Sequence, residues 1–449
     1  MFLRPLMVPH HFKHTDQITR NKKIFASGPS VSNKYSNFAR NHQLKVIMKA
    51  NALRENRRSF LKGGLAIGGM AILNPQKAIA AATTSEESFR IIAGPYLQTN
   101  FGNSISILWI TNKEAASWVE YGPAADQLTS KVLGKSELGF KPAGRLNCIT
   151  LTGLKPGATY HYRIVSKEIK DFQPYKLTYG EEVQGATEQF VNPDPDKDTV
   201  SFVMLNDIHD RPKSIPHLLN LDKGASRDFV FFNGDVFDYQ TDEQQIIEHM
   251  LQPCIDLFAK QLPFVYVRGN HETRGKFARE FSSYFHHVAY TAFSLGPVRF
   301  VILDTGEDKE DTHPVYAGIV DFDGYREEQA RWLEQEVSSK AFKSAPFRVV
   351  MMHIPPRYSG DWHGATHCTK LFEPLFNKGK VDLVLSGHTH RYKVHGPDKQ
   401  ANHYPIIIGG GPKEGTRTIT RVNATKKQLN VSMLDDSGKE VGRYQVNRK

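Results

Sequence analysis

Apolar and polar positions along this chain fall into distinct regimes. Between residues 88 and 192, short runs rich in β-branched and aromatic residues alternate with Gly and Pro, as in Ser104-Ile-Ser-Ile-Leu-Trp-Ile-Thr111 and Ser117-Trp-Val-Glu-Tyr121. That spacing predicts an all-β unit. Within it, Leu154-Lys-Pro-Gly-Ala leads into strict alternation at Tyr160, Tyr162 and Ile164. Residues 193–199 hold two prolines among alternating charges, a composition that disfavours both helix and strand and marks a linker. From 200 to 449, strand-length apolar runs alternate with segments of helical spacing. Ile246, Ile247, Met250, Leu251, Ile255, Leu257 and Phe258 form one apolar stripe within 242–260, and 327–337 and 368–376 repeat the pattern. Two runs flank Gly296-Pro297 as a hairpin, and 418–446 alternates well enough for two or three strands extending a second sheet. The pattern predicts an α+β domain of two packed sheets flanked by helices.

The chemistry sits where the apolar runs stop. Phe229 to Phe232 reads as a buried strand that Asn233-Gly234 ends abruptly, placing Asp235 at its carboxyl end, where open α/β sheets bind their ligands. A carboxylate there can bridge two cations. Four more runs end alike: Ser201-Phe-Val-Met-Leu205 before Asp207 and His209, Phe264-Val-Tyr-Val267 before Arg268-Gly-Asn-His-Glu272, Arg348-Val-Val-Met-Met352 before His353, and Val381-Asp-Leu-Val-Leu-Ser386 before Gly387-His-Thr-His390. Each motif alone is weak. Together they suggest hard oxygen and imidazole donors for Mn, Fe or Zn. A cation pair is also what phosphate-ester hydrolysis needs.

The ordered set Asp-x-His, Gly-Asp-x-x-Asp, Gly-Asn-His-Glu, a strand-end His and Gly-His-x-His resembles the calcineurin-like metallophosphoesterase superfamily over about 200–410. The resemblance implies two divalent or trivalent ions, one held by Asp207, His209, Asp235 and His390, the other by Asp235, Asn270, His353 and His388. It implies a metal-activated hydroxide attacking phosphorus, with His271 protonating the leaving group and Asp238 pairing with His271. Gly94-Pro-Tyr-Leu-Gln98 and the turn before Tyr160 resemble the fibronectin type III-like N-terminal domain of purple acid phosphatases, in which a tyrosine ties down the turn. Yet the purple enzymes have Gly where His209 stands, and their colour-giving tyrosine falls at Asp238. The same resemblance places a substrate-contacting histidine near His363. On the same loop Arg357 is a second candidate phosphate contact, and Arg268 reads as structural.

The formal charge of +11 changes nothing once it is located. Residues 1–47 hold eight Lys and Arg against one Asp, and 48–80 hold six against one Glu, leaving the remainder near −1. No nucleic-acid partner is implied. Asn56-Arg-Arg-Ser-Phe-Leu-Lys62, an apolar run and Ala78-Ile-Ala80 resemble a bacterial twin-arginine export signal. That implies transient engagement of the export machinery, removal of 1–80, and a periplasmic or secreted product. Met48 also suits an alternative start. Cys148, Cys254 and Cys368 match no disulfide or metal spacing and read as buried free thiols. The function expected is a phosphomonoesterase acting on a small phosphoester. The alternatives are a phosphodiesterase on cyclic nucleotides or glycerophosphodiesters and, more remotely, a non-catalytic surface binding protein.

Overall fold

A computed structural model describes residues 87–448, apart from 100, 103, 135–137, 142, 223–225, 286–288 and 317. The twin-arginine motif, the cleavage site and the alternative start therefore lie outside the described residues.

The N-terminal strands are β1 (Ile91–Gln98), β2 (Ser104–Gly122), β3 (Ser130–Val132), β4 (Ala143–Thr152), β5 (Thr159–Gln173), β6 (Lys176–Gln184) and β7 (Glu188–Val191). The long β2 joins the two halves: its first part lies between β1 and β4, and after an irregularity between Ile110 and Ala115 it pairs with β5 and β3. Trp109, Ile107, Ile149, Ile164 and Phe190 fill the space between. The Tyr160 hydroxyl accepts from the Lys155 amide at 3.0 Å and pins the turn, as the sequence resemblance implies. Tyr162, its alternating neighbour, donates instead to the Lys260 carbonyl at 2.7 Å, and Tyr96 donates to the Tyr284 carbonyl at 2.8 Å. These two hydroxyls fasten the β unit to the domain that follows.

That domain holds two sheets. The first comprises β8 (Thr199–Leu205), β9 (Phe229–Asn233) and β10 (Phe264–Val267), which are parallel. The second comprises β11 (Thr291–Leu295), β12 (Val298–Leu303), β13 (Phe347–Met352), β14 (Leu383–Ser386), β15 (Lys393–His395) and β16 (Ile406–Ile408), with β12, β13, β14 and β16 parallel. Alternation along each strand sorts the side chains. Phe202, Met204, Phe229, Phe231, Phe300, Ile302, Val349 and Met351 meet between the sheets. Val203, Leu205, Val230 and Phe232 face outward onto α1 (Ser214–Leu221) and the helical run 243–259. Val301, Leu303, Val350 and Met352 face α2 (Phe322–Ser338), α3 (Lys340–Ser344) and α4 (His363–Gly379). The 243–259 run starts on the Asp242 side-chain cap to Gln245 N and contains two π-turns. Leu257 on its apolar stripe is 42 % exposed.

Two expectations need correction. The C-terminal strands β17 (Thr418–Thr425), β18 (Gln428–Asp435) and β19 (Glu440–Asn447) extend the first sheet, not the second. β9 occupies one edge of β8 and leaves the other free for β17, whereas β15 already closes the outer edge of β16. And of the three free cysteines only Cys254 and Cys368 are buried; Cys148 points outward from β4.

Candidate metal centre

Because the inner strands of each sheet are parallel, their carboxyl ends share one edge, and asparagine joins the two sheets there. The buried Asn233 amide donates to the carbonyls of Met352 and Leu385, both at 3.3 Å. Asp207 and His209 follow β8, Asp235 follows β9, Asn270 follows β10, His353 directly follows β13, and His388 and His390 follow β14. Asp207, His209, Asp235 and His390 each bring one donor atom within 4.8 Å of the others, and Asp235, His353 and His388 do the same. Asp235 belongs to both groups. Asn270 Oδ1 lies 2.9 Å from His388 Nδ1, which places it beside the second group.

These residues fit a cation pair on a property of their own atoms. Asp207 Oδ1 and His353 Nε2 are buried and find no well-aligned hydrogen-bond partner. They lie 3.2 Å from His390 Nε2 and 3.0 Å from Asp235 Oδ2 respectively, aimed among the other donors. Buried polar atoms are rarely left so. The charges agree. Burial by itself would raise Asp235, but the His353 imidazole holds it at about 2. Burial opposes charge on His353 as well, yet Asp235 raises it to about 10, and Asp207 and Asp235 raise His209 to about 9 against the same penalty. His388 goes the other way, to about 4, through burial and the charge on His353. Protons on His209 and His353 are thus the charges a bound cation would displace.

The backbone shows a signal that the sequence does not. Asp207, His209, Asp235, His388 and His390 all have φ between 51° and 71°. Non-glycine residues seldom adopt this left-handed region, and it is enriched at functional sites. Surrounding groups hold the loops in place. Glu272, fully buried, accepts from the amides of Asp235, Val236, Phe237 and Gly269 at 2.7–3.2 Å. Asn206 Nδ2 donates to Asp207 Oδ2 at 2.5 Å and to the Gly410 carbonyl at 2.9 Å. The glycine triplet 409–411 is a packing surface: a Cβ on Gly409 would fall 1.9 Å from Asn206 Oδ1, and one on Gly411 would fall 2.6 Å from His390 Cβ. Strand-end spacing picks out Glu272 within Gly-Asn-His-Glu but not its role, and it gives no packing role to these glycines.

Other expected site residues lie elsewhere. Asp238 does not place its carboxylate on His271. Its Oδ1 meets His209 Nδ1 at 2.8 Å, and only its backbone carbonyl meets His271 Nδ1, at 2.7 Å. Both imidazoles lie near this turn, their ring centroids 4.5 Å apart, so the motif spacing could not choose between them. A carbonyl only accepts, so His271 carries its proton on Nδ1, and Nε2 receives Arg274 Nη1 at 3.1 Å. Burial and the Arg274 charge keep His271 below its ordinary pKa, although Asp235 opposes them. His363 begins α4 and turns to Asp323 of α2 at 2.8 Å, where His367 also lies. Trp362, not His363, lines the cavity beside the donor groups. Arg357 forms a bidentate pair with Glu373 and borders a separate surface depression. Arg268 binds Asp304 at 2.7 Å. Asp210 accepts from the Asp238 amide at 2.9 Å and faces His249 at 2.7 Å, and so supports the turn that carries Asp238.

Asp235, Asn270, His271, His388 and His390 open into one cavity of about 490 Å³. Fold and site together define a dinuclear, metal-dependent phosphoesterase. Residues 200–392 match the calcineurin-like phosphoesterase family, and residues 96–178 match the N-terminal domain of purple acid phosphatases. The chain therefore carries a calcineurin-like phosphoesterase domain behind a purple acid phosphatase N-terminal domain. It is 26 % identical over 322 residues to purple acid phosphatase 21 of Arabidopsis thaliana, covering 67 % of each chain. It is also 26 % identical over 378 residues to a purple acid phosphatase of Glycine max, covering 75 % of each. A purple acid phosphatase from yellow lupin seeds (Lupinus luteus) shares the fold, with a TM-score of 0.61 at 15 % identity over 79 % of this chain and 74 % of that one.

Proposed function

We propose that the protein is an exported phosphomonoesterase whose two cations share Asp235. The observation that carries this reading is the pair of donor groups meeting at one buried carboxylate, with donor atoms that lack a well-aligned partner aimed between them. Asp207, His209, Asp235 and His390 would hold one ion, and Asp235, Asn270, His353 and His388 would hold the other; the donor set suits Mn, Fe or Zn. When bound, such a pair supplies a nucleophile at neutral pH and neutralises charge on phosphoryl oxygens.

The chain's own residues do the rest. Glu272 fixes the turn that presents Asp235, through four amides. The Asp238 carboxylate orients His209, the usual service of a carboxylate behind a metal-ligating imidazole. Because Asp238 occupies the place of the colour-giving tyrosine, protein loaded with ferric iron should lack the violet charge-transfer band. His271 lines the cavity with its Nδ1 proton committed to the Asp238 carbonyl, so it can protonate a leaving group only through Nε2, and only after that nitrogen has itself taken up a proton. The twin-arginine motif at Arg57 and Arg58 supports export.

Turnover of nitrophenyl phosphate against bis(nitrophenyl) phosphate tests the substrate class. The monoester should be preferred by kcat/KM; preference for the bis-ester would establish the phosphodiesterase alternative instead.

A further inference from the structure

One wall of the cavity carries two cations that the metal site does not use, with the Asp308 carboxylate beside both. Arg274 and Lys309 line it together with Asp235, Asn270, His388 and His390. Arg274 is anchored on its inner side: Nε and Nη2 reach Glu307 Oε2 and Oε1, each at 2.9 Å. Glu307 is fully buried and also accepts from the Asp308 amide at 2.9 Å, so its carboxylate cannot easily move. Lys309 Nζ lies 2.7 Å from Asp308 Oδ1 and 5.6 Å from the Trp362 ring centroid at the same cavity. A bidentate guanidinium–carboxylate pair is rigid as well as strong. It leaves one arm over. Nη1 of Arg274 meets only the neutral Nε2 of His271, at 3.1 Å, among the described hydrogen bonds. A cation with two donors fixed to a buried acid and a third resting on an uncharged nitrogen is poised for an anion.

We infer that Arg274, positioned by Glu307, binds a terminal phosphoryl oxygen and selects monoesters over diesters. This rests on the proposed phosphatase reading and deepens it. A monoester presents three unsubstituted phosphoryl oxygens, with up to two negative charges. A diester has an ester group in place of one of them and a single charge. The anchored Nη1 has a charge-assisted partner in the monoester, whereas an ester substituent directed at it finds a fixed guanidinium backed by a buried acid. Phosphate binding also draws Nη1 away from His271 and leaves Nε2 of that ring facing the substrate.

The test uses the metal-loaded full chain with Arg274→Met, Arg274→Lys and Glu307→Gln. Metal content, kcat/KM on nitrophenyl phosphate and its bis-ester, and calorimetric Kd for inorganic phosphate are measured together. Arg274→Met should lower the monoester-to-diester ratio of kcat/KM about 10- to 100-fold, the scale of a lost charge-assisted hydrogen bond, and weaken phosphate binding to match. Both ions should be retained. Arg274→Lys keeps the charge without the fork and should lose about tenfold; it also serves if Arg274→Met fails to fold. Glu307→Gln should shift the ratio in the same direction, because it frees the guanidinium from its anchor. Equal losses on both esters, or an unchanged phosphate Kd, would overturn the assignment. If the unaltered protein hydrolyses neither ester, the phosphatase reading fails, while the phosphate Kd still decides whether Arg274 is an anion contact.

Discussion

The two donor groups that meet at Asp235 are held in opposite ways. His353 sits directly after β13, fully buried, with Nδ1 fixed 2.7 Å from the Asn233 carbonyl and Nε2 3.0 Å from Asp235. Its anchor is main chain, inside the junction of two sheets. His390 sits on a loop with φ 56° and leaves 43 % of its side chain exposed. His209, in the same group, depends on Asp238, whose carboxylate is itself 47 % exposed. The His353 donor is therefore a product of the core, whereas His390 is a half-exposed donor on a left-handed loop and His209 leans on an outer carboxylate. A buried, backbone-anchored donor loses little freedom on binding, whereas an exposed one must be ordered. The His353 side should hold its cation more tightly, and the His390 side should exchange it.

The comparison breaks first if Asp235 is not common to both groups. Asp235→Ala removes a donor from each, so activity should vanish and at least one ion should be lost; two retained ions with near-normal turnover would refute the shared bridge. Next, His353→Ala and His390→Ala should differ. The first should deplete the tight ion and destabilise the junction, and the second should deplete only the labile ion, as plasma emission analysis of dialysed protein would show. Asp238→Asn should weaken retention of the ion beside His209 about 10- to 100-fold, as loss of an outer partner does elsewhere. An equal effect on both ions would contradict the assignment of Asp238 to His209. The smallest effect belongs to His363→Ala. Its pair with Asp323 is one-third exposed on both sides, so thermal melts should change by about 0.5 kcal/mol or less, with kcat/KM unaltered.

The sequence discloses the donors because they follow directly upon apolar runs, and a parallel sheet gathers such strand ends at one edge. Asp207, His209, Asp235, Asn270, His353, His388 and His390 all come together on that basis. What spacing cannot disclose is partner choice at the next layer. Asp238 has His209 and His271 within reach of one turn, and its carboxylate meets His209 while its carbonyl meets His271. No residue pattern announces positive φ at Asp or His. His363 fails for a different reason: it opens α4, and helical geometry directs it and His367 to Asp323 of the neighbouring helix. The C-terminal strands alternate correctly but contain nothing that names their partner; a free edge on β8 settles it. Arg274 has no apolar run to mark it. Its place follows only from the buried acid that holds it.

Metal titration of the apo protein, followed by calorimetry with a single divalent ion, tests the account most directly. Two ions per chain should bind in two resolved phases, with proton release, because His209 and His353 are held at about 9 and about 10 until a cation displaces their protons. The tighter phase should be missing from His353→Ala and intact in His390→Ala. A single ion per chain, or two indistinguishable phases equally affected by both substitutions, would contradict an unequal pair built on one carboxylate.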